Sequence, residues 1–511
     1  MSSEVTQALA RIARGTGIIF AGTLISTFLG FITRVLIARH FSESDYGVFN
    51  LALTILTISF IVATLGFPTS LPREIPVYRE KYPEKVNRLI STVILVVVAT
   101  SIILMAFLFL GSQAIAEVFK EPKLVEPLKV ISLALPFYAL TSMLVSISQG
   151  FGRVREKVYF TNITYPTLFL AFATLGVIFG KSIKAVVIAY TLSWVVTLFL
   201  IVWDYSRVKI FTLELTFDLN IAKSLLTFSL PLLLSGILGF VMTWTDTLMI
   251  GYYLTSREVG IYNSATPLAK MLPIFLASFS YLYMPISSQL YAQGKVKEMG
   301  RVYQMTTKWT FLLTLPMFLM LVLFPQATIS FIFGEKYLDA SVALQILAIG
   351  FMFHTFLGLN GLTLVIIGES KLNMIGDLIA ALSNILLNIA LIPFYGVNGA
   401  AFATSVSYIV ANFFRSFWLY RKTGIHPFTK NYLKPLGIGV LLVGMIKAVH
   451  LNVGNIWYAL ILLGLILVVY SLLVLVVKSL DREDLELMLE IEKKLGLNLG
   501  ILKNFLKRFA Q

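Results

Sequence analysis

The chain has 511 residues, 58% of them hydrophobic and only 13% charged, with a mean hydropathy of +0.85. Soluble domains carry far more charge, so a water-soluble enzyme is excluded. The net charge of +15 is read as Lys and Arg collected in cytoplasmic loops rather than as a nucleic-acid footprint, and the absence of cysteine removes disulfides, thiol catalysis and Cys-based metal sites.

A bilayer is crossed by about 20 apolar residues in a helix. Apolar windows predict about fourteen such helices, at 15–38, 46–68, 89–112, 127–149, 158–180, 184–204, 224–253, 259–288, 302–325, 341–367, 372–394, 397–420, 434–450 and 455–477. Residues 2–14 are mixed and polar, and the apolar run after them is too long for a signal peptide, so no cleavable leader is expected. The first span, "LGFITRVLIARHF" at 29–41, carries Arg34 in its middle and Arg39 near its end. A charge at the centre of a spanning helix costs about 2.5–3.5 kcal/mol on insertion scales, so something must offset it. Arg73 follows the second span in "GFPTSLPREIP".

The fifth span ends in "GVIFGKS" at 176–182. It resembles a phosphate loop but has three residues between its glycines where four are needed, so nucleotide binding is rejected. The seventh span holds Asp246 in "TWTDTLMIG", with Pro231, Gly236 and Gly239 favouring a bend. Lys270, Lys308, His354, Asn360, Asp377 and Arg415 follow in the eighth to twelfth spans, with Asn384 and Asn388 in the eleventh. The thirteenth span is short and contains Lys447. Beyond the last span, leucines recur at helical spacing among charges over 479–511, which suits a helix lying on the inner membrane surface or docking on cytoplasmic loops. With both termini cytoplasmic, inward loops hold 21 Lys and Arg against 8 outside, the bias expected of an even number of spans.

The sequence also repeats itself. "RVLIARHFSESDYGVFN" at 34–50 aligns without a gap on "TLMIGYYLTSREVGIYN" at 247–263, pairing Ile37 with Ile250, Gly47 with Gly260 and Asn50 with Asn263. Gly152, Gly180 and Ala185 meet Gly368, Gly396 and Ala401 at nearly the same offset. Spans 1–6 (residues 1–210) and 7–12 (residues 211–424) are therefore expected to be two parallel copies related by a pseudo-twofold axis along the membrane normal. Spans 13 and 14 (residues 425–478) and the tail (residues 479–511) lie outside the duplication.

"RVLIARHFSESDYGVFNLALTI", "TDTLMIGYYLTSREVGIYNSA" and "YGVNGAAFATSVSY" together resemble the polysaccharide flippases of the multidrug/oligosaccharidyl-lipid/polysaccharide exporter superfamily. The resemblance covers nearly the whole chain. It implies an all-α polytopic membrane protein of two six-helix lobes around a cavity, moving a lipid-linked oligosaccharide from the inner to the outer leaflet of the cell membrane by alternating access. His40, His354, His426 and His450 are too far apart for metal-ligand spacing and no catalytic constellation appears, so no enzyme activity, cofactor or metal is expected. Expected partners are membrane lipids, H+ or Na+ as coupling ion, and a glycan polymerase or ligase, with a monomer as the working unit.

A lipid-linked sugar carries a phosphate or pyrophosphate. Arginine suits that group because its planar fork donates several hydrogen bonds and stays protonated. Arg34 is the first candidate ligand, against the alternative that it pairs with a carboxylate and only locks helices together. Arg39 faces either cargo or headgroups; Arg73 either catches phosphate at the cytoplasmic mouth or is one more inward-loop charge. Lys270, Lys308, Asn360 and Arg415 complete the substrate candidates. Asp246, at the position of the family's acidic residue, is either a coupling or gating site or the partner of Lys270 or Arg34. His354 and Asp377 are further coupling candidates, with an Asp377–Arg415 pair as the structural alternative, and Asn384 and Asn388 either meet sugar hydroxyls or join helices. A drug or cation exporter of the same superfamily is the first alternative, although a basic lumen would repel its cargo. A lipid II-type flippase is nearer. A membrane glycosyltransferase would need a long catalytic loop, and no such loop is present.

Overall fold

A computed structural model describes residues 3–208, 216–448, 453–477 and 479, which form helices and turns with no strand among them. The chain first runs through α1 (Ser3–His40), α2 (Glu43–Thr64), α3 (Phe67–Lys81), α4 (Val86–Leu110), α5 (Ser112–Val118), α6 (Val125–Ser132), α7 (Ala134–Gly150), α8 (Tyr165–Leu175) and α9 (Ile183–Val208). It continues through α10 (Leu219–Tyr253), α11 (Ser256–Ala269), α12 (Ile274–Ala292), α13 (Val296–Leu323), α14 (Pro325–Ile332) and α15 (Ser341–Phe356). The last helices are α16 (Asn360–Ile366), α17 (Ser370–Thr423), α18 (Lys430–Ala448) and α19 (Ile456–Val476). Among the described residues, ten helical stretches are long and apolar enough to cross a bilayer, eleven if the bent α6–α7 pair counts as one. The all-α, multi-pass membrane class holds, and the total of fourteen is not reached by that measure.

The spans that differ from expectation do so for local reasons. The second stops at Thr64 because Leu65 (φ 52°) and Gly66 (φ 77°) turn left-handed before α3 starts. The fourth bends by 42° between α6 and α7, where Pro136 lacks an N–H and crowds the preceding turn. The fifth is π-helical on both sides of α8, at Lys157–Thr164 and Gly176–Gly180; Pro166 has no N–H for the normal ladder and favours a widened turn. The eighth divides into α11 and α12 around Pro267 and Pro273, and the tenth into α15 and α16 at Gly358 (φ 74°). The eleventh and twelfth are the two arms of α17, which breaks at Gly396 (φ 56°, ψ −135°). The expected surface helix over 479–511 lies, apart from Ser479, outside the described residues.

The helices form two compact units, Met1–Asn263 with Leu387–Ala400, and Ser264–Leu386 with Ala401–Gln511. In the first, Leu71 and Ile75 of α3, Leu89 and Val93 of α4, Met143 of α7, Ile201 of α9 and Leu225 of α10 form one buried cluster. Lipid tails are as apolar as these side chains, so the gain in assembly comes from close packing and interhelical hydrogen bonds. Gly66 shows this: a β-carbon there would stand 2.6 Å from the Ser229 carbonyl of α10, and the Ser229 hydroxyl donates to Ser70 Oγ at 2.8 Å.

The internal repeat appears in the first unit as a reciprocal contact. A β-carbon at Gly47 of α2 would collide with the Ser256 carbonyl of α11, and one at Gly260 of α11 would collide with the Glu43 carbonyl of α2. Ser256 is the repeat equivalent of Glu43, as Gly260 is of Gly47. The two helix starts thus cross backbone to backbone about a local pseudo-twofold. The Ser44 and Ser256 hydroxyls meet at 2.7 Å beside this crossing.

In the second unit, Leu315 and Leu319 of α13 pack with Tyr432 of α18 and Ala459 of α19. The Tyr432 hydroxyl donates to the Phe356 carbonyl at 2.8 Å, satisfying an acceptor released where α15 ends. The Tyr470 hydroxyl of α19 donates to the Pro435 carbonyl at 3.2 Å. α18 and α19 therefore complete this unit's core.

Candidate functional site

In the first unit, Arg34 sits partly buried in α1, with its guanidinium carbon 5.9 Å from the ring centroid of Trp244 on α10. It forms no ion pair among the described residues. A cation over an indole is stabilised by about 0.5–2 kcal/mol depending on its exposure, which offsets part of the insertion cost. The carboxylate-paired alternative thus finds no partner here, and the donors of Arg34 are not consumed by a salt bridge. Arg39 is exposed in the last turn of α1. Arg73 is exposed on α3, 4.4 Å from the Phe228 ring centroid of α10 and 3.3 Å from Glu74.

Asp246, on α10 two residues past Trp244, is buried. Tyr262 of α11 donates its hydroxyl to one carboxylate oxygen, and Asn388 of α17 donates to the other at 2.7 Å. A buried carboxylate must be met by donors, and Tyr262 and Asn388 supply one to each of its oxygens. Thr247 and Asn263, one residue further along each helix, bond beside this cluster at 3.1 Å.

In the second unit, Lys270 is partly buried in the turn between α11 and α12. Lys308 is fully buried in α13 and donates to the Ser479 carbonyl at 2.9 Å, tying the end of the α19 segment to α13. Asn384 donates to Thr404 Oγ1 at 2.9 Å, joining the two arms of α17. The remaining candidates meet around one cavity of about 400 Å³ between α12, α15, α16 and α17. Arg415 is 7% exposed and its Nη2 pairs with Asp377 Oδ1, so the expected pair between the eleventh and twelfth spans is formed. Two glycines make its slot: a β-carbon at Gly376 would stand 2.7 Å from Arg415 Nε, and one at Gly361 3.4 Å from its Cδ.

Asn360 is fully engaged. Its amide donates to the Asn412 carbonyl at 3.2 Å and to Ser416 Oγ at 3.0 Å, and its Oδ1 accepts from the Gly361 N–H at 2.6 Å. It fastens α16 to the second arm of α17. His354 Nδ1 lies 3.1 Å from Asn412 Oδ1, which also accepts from Asn360. Asn412 Nδ2 donates to the Tyr408 carbonyl at 2.7 Å, so the amide orientation is set, His354 carries its proton on Nδ1, and Nε2 is left as acceptor.

Sequence reasoning found the charges and missed their holders. Trp244, Tyr262, Asn412 and the slot glycines 361 and 376 carry no signal in a single sequence beyond being polar, aromatic or small within a span. A tyrosine and an asparagine adjacent at 262–263, inside the repeated motif, are the nearest thing to a clue.

A family model described as "Polysaccharide biosynthesis protein" matches residues 12–291, and one described as "MatE" matches residues 231–390. The chain is 24% identical to the probable low-salt glycan biosynthesis flippase Agl15 of Haloferax volcanii, over 78% of this chain and 81% of that protein. It is 23% identical to a putative O-antigen transporter of Shigella flexneri, over 78% and 96%. In three dimensions it resembles the lipid II flippase MurJ in an inward closed conformation, with a TM-score of 0.73 and 18% identity over 89% of this chain and 98% of that one. An inward-facing multidrug resistance MATE family transporter follows, with a TM-score of 0.61 and 17% identity over 79% and 94%. These two likenesses establish the fold.

Proposed function

This chain belongs to the polysaccharide biosynthesis protein family, and from that premise we propose that it flips (pyro)phosphate-lipid-linked oligosaccharides from the cytoplasmic to the outer leaflet by alternating access. It works as a transporter and not as an enzyme, as a monomer in the cytoplasmic membrane with both termini inside, and hands its cargo to a glycan polymerase or ligase. The observation that carries the reading is Arg34: an intramembrane guanidinium held against Trp244 with no carboxylate paired to it among the described residues. Such a group offers a fork of donors to a phosphate oxyanion. Relatives named for glycan flipping and O-antigen transport support a sugar-bearing cargo.

Asp246 is the coupling site in this reading. A buried carboxylate positioned by the donors of Tyr262 and Asn388 can take up and release H+ or Na+ as the transport cycle proceeds. Arg39 and Arg73 guide the headgroup at either end of the path.

The test is reconstitution of the full chain in liposomes containing a lipid-linked oligosaccharide, with the fraction reachable by an impermeant sugar oxidant as readout. Wild type moves the lipid across the bilayer. Arg34→Ala slows the movement by at least tenfold at unchanged thermal stability, since a hydrogen bond to a charged group contributes about 1.5–3 kcal/mol. Equal rates for the two proteins refute the assignment.

A further inference from the structure

We infer that the cavity of the second unit is a subsite for a single uncharged sugar ring, resting on the flippase reading and extending it to the part of the cargo remote from the phosphate. The cavity of about 400 Å³ is of ligand size, larger than a water site and too small for an oligosaccharide. Its apolar wall is Leu276, Leu362 and Val365, a surface suited to the C–H face of a pyranose.

The polar groups decide the class of ligand. Arg415 and Asp377 neutralise each other, so the cavity has no net cation to offer an anion. Asp377 is the accessible member, with a side chain 51% exposed against 9% for Arg415, so an approaching anion meets a carboxylate first. Asp377 Oδ2 makes no hydrogen bond among the described residues, and neither does the Asn373 amide. Asn373 stands one helical turn before Asp377 on the same arm of α17, and residues four apart share a face. One turn of helix therefore presents a charged acceptor beside an amide that both donates and accepts. That is the complement of a pair of adjacent hydroxyls, each of which donates once and accepts.

Arg415 acts as a positioning residue. It is buried in the slot made by Gly361 and Gly376 with Nε unpartnered, and its Nη2 holds the carboxylate in orientation. The Nδ1-protonated His354 adds Nε2 as a further acceptor on the same wall.

The test is calorimetric titration of the purified full chain with neutral methyl hexosides (gluco, galacto and manno) and with methyl glucuronoside. At least one neutral hexoside binds saturably at millimolar concentration, and the uronoside binds at least tenfold more weakly than its neutral counterpart. Asp377→Asn and Asn373→Ala each weaken the neutral ligand about tenfold, one lost charge-assisted or paired hydrogen bond, while circular dichroism stays at wild type; Asn373→Ala, which leaves the Arg415–Asp377 pair intact, also keeps the wild-type melting point, whereas Asp377→Asn lowers it by leaving Arg415 unpaired. Uronoside binding as tight as the neutral sugar, no hexoside binding at tens of millimolar, or Asp377→Asn binding like wild type each overturns the subsite. Flipping with no hexoside binding sinks this inference alone; hexoside binding in a chain that does not flip sinks the transport reading alone.

Discussion

Replacing Gly47 by alanine tests the packing on which the two repeated motifs meet. The new methyl would collide with the Ser256 carbonyl and stand 2.9 Å from the Gly260 nitrogen, where ordinary contact begins at about 3.5 Å. Both neighbours are backbone, so no side chain can rotate aside, and clearing the Ser256 carbonyl requires α2 and α11 to separate by more than about 1 Å. A gap of that size forfeits about half or more of each dispersion contact along the crossing, which places the cost at or above the upper end of the about 1–3 kcal/mol typical of overpacking. Alanine recovers up to about 1 kcal/mol through its better helix propensity, leaving a net loss of about 2 kcal/mol or more. Gly260→Ala is expected to lose a similar amount through the Glu43 carbonyl, and the double variant less than the sum, because the crossing opens only once. The control is Gly464→Ala in α19, where a β-carbon meets nothing within 4 Å and only the propensity gain remains. Thermal unfolding of the four purified variants in one detergent gives the comparison. Should Gly47→Ala melt with Gly464→Ala, the backbone contact does not restrain the fold and the pseudo-twofold crossing is incidental.

The Asp246 cluster and Arg73 give the other expectations. Asn388→Ala withdraws a donor from a buried carboxylate and should cost about 1.5–3 kcal/mol, read as a lower melting point; a melt equal to wild type means the bond carries no weight. Asp246→Asn should flatten the dependence of flipping on pH or sodium, measured in liposomes with an imposed gradient, and an unaltered profile makes Asp246 structural. Arg73→Ala removes an exposed contact with Phe228 and Glu74, so melting should move by well under the equivalent of 1 kcal/mol; any large fall in flipping then reports contact with cargo, and no fall removes Arg73 from the path.

Hydrophobic patterning by itself determined the class, because a chain that is 58% hydrophobic with long uncharged runs can satisfy its backbone in a bilayer only as helices. The repeat and the charged candidates were equally legible, since offset and residue type are linear properties. The fate of those charges was decided by the tertiary structure. Asp246 meets Tyr262 and Asn388, Lys308 is spent on a carbonyl far along the chain, and Arg415 owes its place to two glycines that leave room for a guanidinium. Breaks at Gly358, Gly396 and the prolines also escape apolar windows, because hydropathy averages over a segment while helix continuity fails at a single φ or a missing N–H. Partner choice depends on which helix faces come into register, and a one-dimensional pattern holds that information only for neighbours on the same helix.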